Sequence, residues 1–299
     1  MLYILNNGLD FHFVHPPSNY SEKNNNSALE NLVDLRKIID LWETQGKLFR
    51  VEKESLVNNP MSLIKQVQSC GTVKLRPVID CSRYLNDLFV VEKIKLDDLN
   101  EMEKMIEKDF YFCNWDPSSM YQQVKLNPNV TKFQGITIPQ ENGESYHYEF
   151  KVLMFGISIA VYVVTKLLRP ARNFFLSLNI RYNVYINDSQ LCARTAALAE
   201  SQTNFCIKVF KLLDWNINYK KSHLTPTQQI TYLGFLIDSR QMMYFYPERK
   251  VIEVKSLFHE IFTKVLQKNS IHLKLLACKI TWQALRNETQ PWKNCNDLQ

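Results

Sequence analysis

The spacing of apolar positions along the chain changes period several times, and each change predicts an element. From Ala28 to Gly46, Leu29, Leu32, Ile38 and Leu41 recur at helical spacing and Gly46 punctuates the end, which predicts an amphipathic helix. From Phe49 to Ile79, short apolar runs alternate with turn residues, as strands and hairpins do. Asp97 to Lys108 returns to a helical pattern. Phe110 to Trp115 is an aromatic run of β character that stops at Asp116-Pro117, and residues 127–148, with Pro128, Pro139, Asn142 and Gly143, predict a hairpin with loops. Ser158 to Leu178 predicts a long helix that Pro170 breaks or kinks. Arg181 to Ile186 is a second β run ending in Asn187-Asp188, Leu191 to Leu213 is helical, and Ile230 to Ile237 predicts a strand. Val251 to Lys268 and Ile271 to Arg286 predict two basic helices. Residues 1–28, with Pro16-Pro17 and Asn24-Asn25-Asn26, predict a loose, irregular N-terminal arm.

This order predicts an α+β lobe followed by a separate helical lobe. The 299 residues are 45% hydrophobic and 22% charged, enough for a sizeable core. A formal charge of +6 permits an anionic partner without demanding one. Neither GxGxxG nor GxxxxGK[ST] occurs, which argues against a glycine-rich phosphate loop. The seven cysteines form no CxxC pair and read as reduced thiols filling the core of an intracellular protein. Met1 to Asp10 lacks the features of a signal peptide, and Val152 to Thr165, between Lys151 and Lys166, is too short to span a bilayer, so no membrane partner is expected. Nothing in the sequence separates cytoplasm from nucleus or assigns an oligomeric state.

Asp116 and Asp188 carry the first hint of chemistry, because each follows a β run. If those strands pair, two carboxylates meet, and neighbouring carboxylates repel unless a divalent cation neutralises them. Mg²⁺ held by carboxylates and substrate phosphates is a common arrangement for phosphoryl transfer. Two ordinary turn aspartates would look the same in isolation.

The surrounding segments separate these readings. Tyr185-Ile186-Asn187-Asp188 resembles the Y-x-D-D motif of reverse transcriptases, and Phe150 to Ser158 resembles their F-x-V-L-P-F-G-L-S segment, continued by Val163 to Pro170. Asp116 with Tyr121 resembles the first catalytic motif. Asn218 to Pro226 resembles N-x-x-K-S-x-L-x-P, Tyr232-Leu233-Gly234-Phe235 the Y-L-G-F primer grip, and Lys74 to Asn86 the finger motif K-x-R-x-x-x-D-x-R-x-x-N. Six such segments in the family's order span residues 49–240, and their wording is closest to DIRS-type retrotransposons, with gypsy-type elements more distant.

The resemblance implies a fingers–palm–thumb polymerase fold with a central antiparallel palm sheet. Residues 29–109 would form the N-terminal helix and fingers, 110–243 the palm with a fingers insertion at about 127–149, and 244–299 thumb-like helices. Asp116 and Asp188 would be metal ligands for two Mg²⁺ ions. Lys74 and Arg76 would meet the triphosphate of an incoming dNTP, as point charge and fork. Tyr121 would lie under the sugar and exclude a 2′-hydroxyl, while Phe155 and Gly156 would line the nucleotide pocket. Lys221 or Lys220 would donate a proton to pyrophosphate. Tyr232, Leu233, Gly234 and Phe235 would position the primer end of an RNA or DNA primer–template. Lys250, Lys255, Lys264, Lys268 and Lys274 would follow a duplex backbone. Read plainly, the same lysines make a solvated helix face, and Tyr121 and Phe155 are core aromatics.

The chain departs from the family at its centre. Asn187 stands where Y-x-D-D has its first aspartate, and asparagine offers a hard cation one neutral carbonyl oxygen. Asp116-Pro117-Ser118 replaces D-L-K, and Leu153-Met154-Phe155-Gly156 replaces L-P-F-G. No ribonuclease H, protease or integrase segment is recognised beyond the thumb-like helices. The expectation is an RNA-directed DNA polymerase domain that is weak or inactive. The alternatives are a non-catalytic nucleic-acid-binding remnant, a co-opted host protein, or poorly folded debris.

Overall fold

Leu35, Ile39 and Trp42 stand at i, i+4 and i+7, and all three are buried. They form the inner face of the Leu32–Thr44 helix in the computed structural model, which describes residues 2–67 and 72–266. The expected stripe lies elsewhere: Leu29 and Leu41 are exposed, and the single helix expected from Ala28 is two, Asn26–Leu29 and Leu32–Thr44. The segment carries two apolar stripes, and the one containing the bulky indole of Trp42 takes more apolar surface out of water. Gly46, at φ +68°, ends the helix as expected. Its amide donates to the Glu43 carbonyl and the Lys47 amide to that of Trp42, so the last turn closes on itself.

Contacts divide the chain into two units, residues 1–95 with 119–170, and residues 96–118 with 171 onward.

The first unit is built on a five-stranded sheet in the order Tyr20–Ser21, Val57–Asn58, Gly135–Pro139, Ser145–Phe150, Leu48–Val51. Trp42 meets Phe150 edge-on at 5.7 Å between ring centres. Met61–Val67 and Val73–Ile79 form a separate antiparallel hairpin. Residues 1–28 are not the loose arm expected. Leu2–Asn7 is helical, Leu9 bridges to Leu126, Phe13 bridges to Phe89, and Tyr20–Ser21 adds a strand. Leu9 and Phe11 are buried, and the Phe11, Phe13, Phe89 and Phe133 rings lie 4.9–5.9 Å apart. A few apolar anchors among polar residues are enough to pin a segment whose average composition looks unstructured.

The second unit carries a four-stranded antiparallel sheet in the order His223–Thr227, Tyr111–Trp115, Asp188–Ala193, Arg181–Tyr185. The Ala196–Leu212 helix packs on it through Cys206 and Phe210. Trp115, Tyr182, Phe175 and Phe210 interlock there with ring centres 5.1–6.2 Å apart. Leu191 to Ala193, expected as helix, belong to the strand, and the helix starts after Thr195, whose hydroxyl accepts from the Leu198 amide. The strand expected at Ile230–Ile237 is two strands, Gln229–Tyr232 and Phe235–Asp238, joined by a two-residue turn and extended by Met243–Phe245. Of Asp97 to Lys108, only Leu99–Glu103 is α-helical, capped by Asp98.

Ala160–Ser177 is one continuous helix with Pro170 inside it, so the proline does not break it. Glu248–Leu266 matches the first of the two C-terminal helices expected, while Ile271 to Arg286, with Lys268 and Lys274, lies outside the described residues. Cys81, Cys113, Cys192 and Cys206 are free and buried, and burial pushes the thiols of Cys81, Cys192 and Cys206 up to about 12. Among the described residues, no helix is long and apolar enough to cross a membrane.

The helix face gives a direct test. Leu35→Ala is expected to destabilise the protein by about 2–5 kcal/mol, and Leu41→Ala by less than about 0.5 kcal/mol. Urea unfolding followed by circular dichroism measures both, and the reverse order would mean that the other stripe faces the core.

Candidate active site

Backbone pairing brings the three acidic-motif positions together. Trp115 lies opposite Ser189, so Asp116, one residue beyond the strand, faces the turn that joins Tyr185 to Asp188. Tyr185 pairs with Asp188 across that turn, and Ile186 within it has φ +56°. A β-branched residue in the left-handed region is strained, and such strain persists only where the surroundings over-determine it. Here they do: the Tyr182 hydroxyl meets Ser189 Oγ at 2.8 Å in the buried sheet, and the Tyr232 hydroxyl donates to the Asp188 carbonyl at 3.1 Å.

Asp116 is gripped from its backbone outward. Its carbonyl accepts from the Asn218 amide at 2.8 Å, and its amide donates to Ser222 Oγ at 3.2 Å. Ser222 Oγ in turn donates to the Asn218 carbonyl at 2.8 Å, and Pro117 bridges to Ile217. The Asn218-to-Ser222 segment is thus the clamp on Asp116, a role beyond the single lysine assigned to it from the sequence. Lys221 Nζ lies 3.5 Å from Asp116 Oδ2. On the other oxygen, Asn187 Nδ2 donates to Asp116 Oδ1 at 2.8 Å.

Asp188 opens toward solvent within a pocket of about 580 Å³ that also takes in Asp116, Asn187, Lys221, Gly234 and Lys250. The protein crowding its carboxyl and the charge of Asp116 raise its pKa above the ordinary carboxylate value, with Lys221 opposing. Asp116 and Asp188 are the two side chains here that could ligate a hard cation. The four primer-grip positions frame the same pocket. Tyr232 pairs with Phe235, and Leu233 at φ +47° with Gly234 at φ +83° make the tight two-residue turn between them. Lys250 Nζ donates to the Gly234 carbonyl at 3.3 Å.

The remaining predicted residues belong to the first unit. Tyr121 and Phe155 meet edge-on at 5.4 Å, and Phe155 is 39% exposed. Gly156, at φ +95°, packs so closely that a Cβ would come 2.2 Å from the Ile79 carbonyl oxygen. Asn86, which had no role in the sequence reading beyond closing the finger motif, fixes this loop with both ends of its amide. Its Nδ2 donates to the Gly156 carbonyl and its Oδ1 accepts from the Ser158 amide, both at 2.8 Å. Lys74 and Arg76 are exposed on the Val73–Ile79 strand, opposite Gln66 and Ile64, and Arg76 Nε donates to the Gln66 side chain.

Residues 53–237 match the family described as "Reverse transcriptase (RNA-dependent DNA polymerase)". The chain belongs to that family. Its fold is similar to that of the foamy viral protease–reverse transcriptase in complex with dsDNA, with a TM-score of 0.64 and 18% identity over 83% of this chain. A second foamy viral protease–reverse transcriptase structure, also with double-stranded DNA, gives a TM-score of 0.64 and 16% identity over 81%. The chain spans 48% and 39% of those two proteins. No curated protein matches the sequence.

The raised pKa of Asp188 has a signed consequence. A carboxyl whose folded pKa lies above its unfolded value disfavours folding at neutral pH, and that penalty fades as pH falls through the folded value toward the unfolded one. Asp188→Asn is therefore expected to raise the melting temperature at pH 7, with the gain vanishing below the ordinary carboxylate range at about pH 4. A gain that persisted unchanged at acid pH would assign the effect to packing.

Proposed function

We propose that this chain is the polymerase domain of a retroelement reverse transcriptase, DIRS-type in the wording of its motifs. On this reading it retains a primer–template-binding fold and has lost most or all of its nucleotidyl transfer. The carrying observation is the hydrogen bond from Asn187 to Asp116. At the position where the family motif has an anionic oxygen, this chain presents an N–H donor.

In the chemistry implied by the family, the primer 3′-hydroxyl attacks the α-phosphate of a dNTP and pyrophosphate leaves. Two Mg²⁺ ions, if bound, would supply charge neutralisation for that attack, and Asp116 and Asp188 are the residues that would have to hold them. The donor set here does not fit two such ions. Asp188 has a free carboxylate, Asp116 has a donor on each oxygen, and Asn187 is neutral. What the chain's own residues can still do is bind and orient. Lys74 and Arg76 suit the triphosphate, Tyr121 and Phe155 the sugar and base, and Tyr232 to Phe235 the primer end. Lys250 and Lys255 suit a duplex backbone. Two carboxylates reduced to one free one leave the α-phosphate without its main electrostatic partner, and losing such an element slows reactions about 100-fold or more.

Primer extension on an RNA template with Mg²⁺, run beside Asn187→Asp, tests this. The wild-type chain is expected to extend at least about 100-fold more slowly than the variant. It should still bind the primer–template, with an affinity that falls steeply with salt. Robust synthesis by the wild type would sink the inactivity, and absence of both binding and rescue would sink the polymerase reading.

A further inference from the structure

We infer that Asp116 is neutralised from within the chain, by the Asn187 amide and the Lys221 ammonium, and that the palm pocket consequently takes no divalent cation. The inference rests on the polymerase reading above and specifies the state of that same site.

Asp116 has two carboxylate oxygens and a side chain that is only 14% exposed. A largely enclosed carboxylate needs compensation, by a cation or by donors. Both oxygens already have it. Oδ1 accepts from Asn187 Nδ2 at 2.8 Å, and Oδ2 faces Lys221 Nζ at 3.5 Å. The sense of the Asn187 amide follows from chemistry: its carbonyl oxygen turned toward an ionised carboxylate would set two acceptors against each other. A cation entering between Asp116 and Asp188 would have to remove the amide donor and push the ammonium aside. In exchange it would gain the carboxylates of Asp116 and Asp188 and the single neutral oxygen of Asn187, one anionic ligand fewer than three carboxylates would offer. Among the described residues, no group of three or more His, Cys, Asp or Glu side chains converges to offer a better set.

The backbone makes this arrangement durable. The Asn218 amide and Ser222 hydroxyl hold Asp116 by its main chain, and Lys221 lies between those two residues in sequence. The clamp that fixes the carboxylate therefore also delivers its counter-ion. Asn187 follows Ile186, whose positive φ sets the course of the turn. The turn thus places Asn187 and the clamp places the Lys221 backbone, while the Lys221 side chain itself is 61% exposed.

Mn²⁺ binding to the whole 299-residue chain, followed by the electron paramagnetic resonance signal of free Mn²⁺, decides the matter with no reference to activity. Wild type is expected to leave the Mn²⁺ signal unchanged and to melt at the same temperature in EDTA and in Mn²⁺, within about 1 °C. Asn187→Asp places three carboxylates together. It is expected to melt several degrees lower in EDTA and to regain that loss in Mn²⁺ while removing free Mn²⁺ from solution. Lys221→Gln in the wild-type background frees Oδ2 and is expected to bind Mn²⁺ weakly. If Asn187→Asp does not fold, the wild-type titration alone decides. Stoichiometric Mn²⁺ binding by wild type would overturn the inference while leaving the polymerase reading intact. A wild type that ignores Mn²⁺ yet binds no primer–template would support the inference and count against that reading.

Discussion

A carboxylate at the end of a strand in the second unit has to be compensated, and much of the candidate site is arranged around how this is done. Asp116 projects just beyond Tyr111–Trp115, and its side chain is mostly enclosed. Its main chain is tied to Asn218 and Ser222, and its two oxygens face an amide and an ammonium. The position of the amide depends on register. Ser189 opposite Trp115 and Asp188 opposite Tyr185 put Asn187 within reach, and a slip of one residue would turn the whole motif to the other face of the sheet.

That register is maintained by burial rather than by the polar groups it serves. Trp115 and Tyr182 stack at 5.4 Å beneath the site, and Phe175 and Phe210 close around them. Large aromatic side chains of this kind supply about 1.5–3 kcal/mol each in burial alone. The two strained turns, at Ile186 and Leu233, cost roughly 1–3 kcal/mol apiece. The packing can carry them, and the Tyr232 hydroxyl on the Asp188 carbonyl joins one turn to the strand that leads into the other.

The parts of this architecture that were legible in the sequence are those in which one residue type has one physical job. Strand runs that end in aspartate and the glycine after the Leu32–Thr44 helix led to the right elements, and the order of six short motifs led to the right family. The misreadings have a common cause in ambiguous apolar patterns. Leu29 and Leu41 are spaced as well as Leu35 and Ile39, and only tertiary packing against Phe150 favours the stripe that contains Trp42. The first residues of Leu191 to Leu213 are apolar in either a strand or a helix. Asn86 and Ser222 were visible as letters of a motif, but their work is to hydrogen-bond backbone distant in sequence, and spacing carries no trace of that.

Asparagine is also the substitution that such a site can absorb with least disturbance. It has nearly the volume and shape of aspartate, so the turn, its strain and the sheet register need not change. What changes is the sign of the hydrogen bond. An acidic side chain at 187 would set two anionic acceptors against each other beside the charge of Asp188, an arrangement that requires a cation from solution. The amide turns that repulsion into a donor–acceptor contact within the chain. A turn designed by packing to hold three oxygens near one another becomes stable on its own once one of them is replaced by N–H. On the reading proposed above, the same replacement that removes the chemistry also removes the fold's need for the ion that supported it. Nothing in the folding energetics would then work against the persistence of the asparagine.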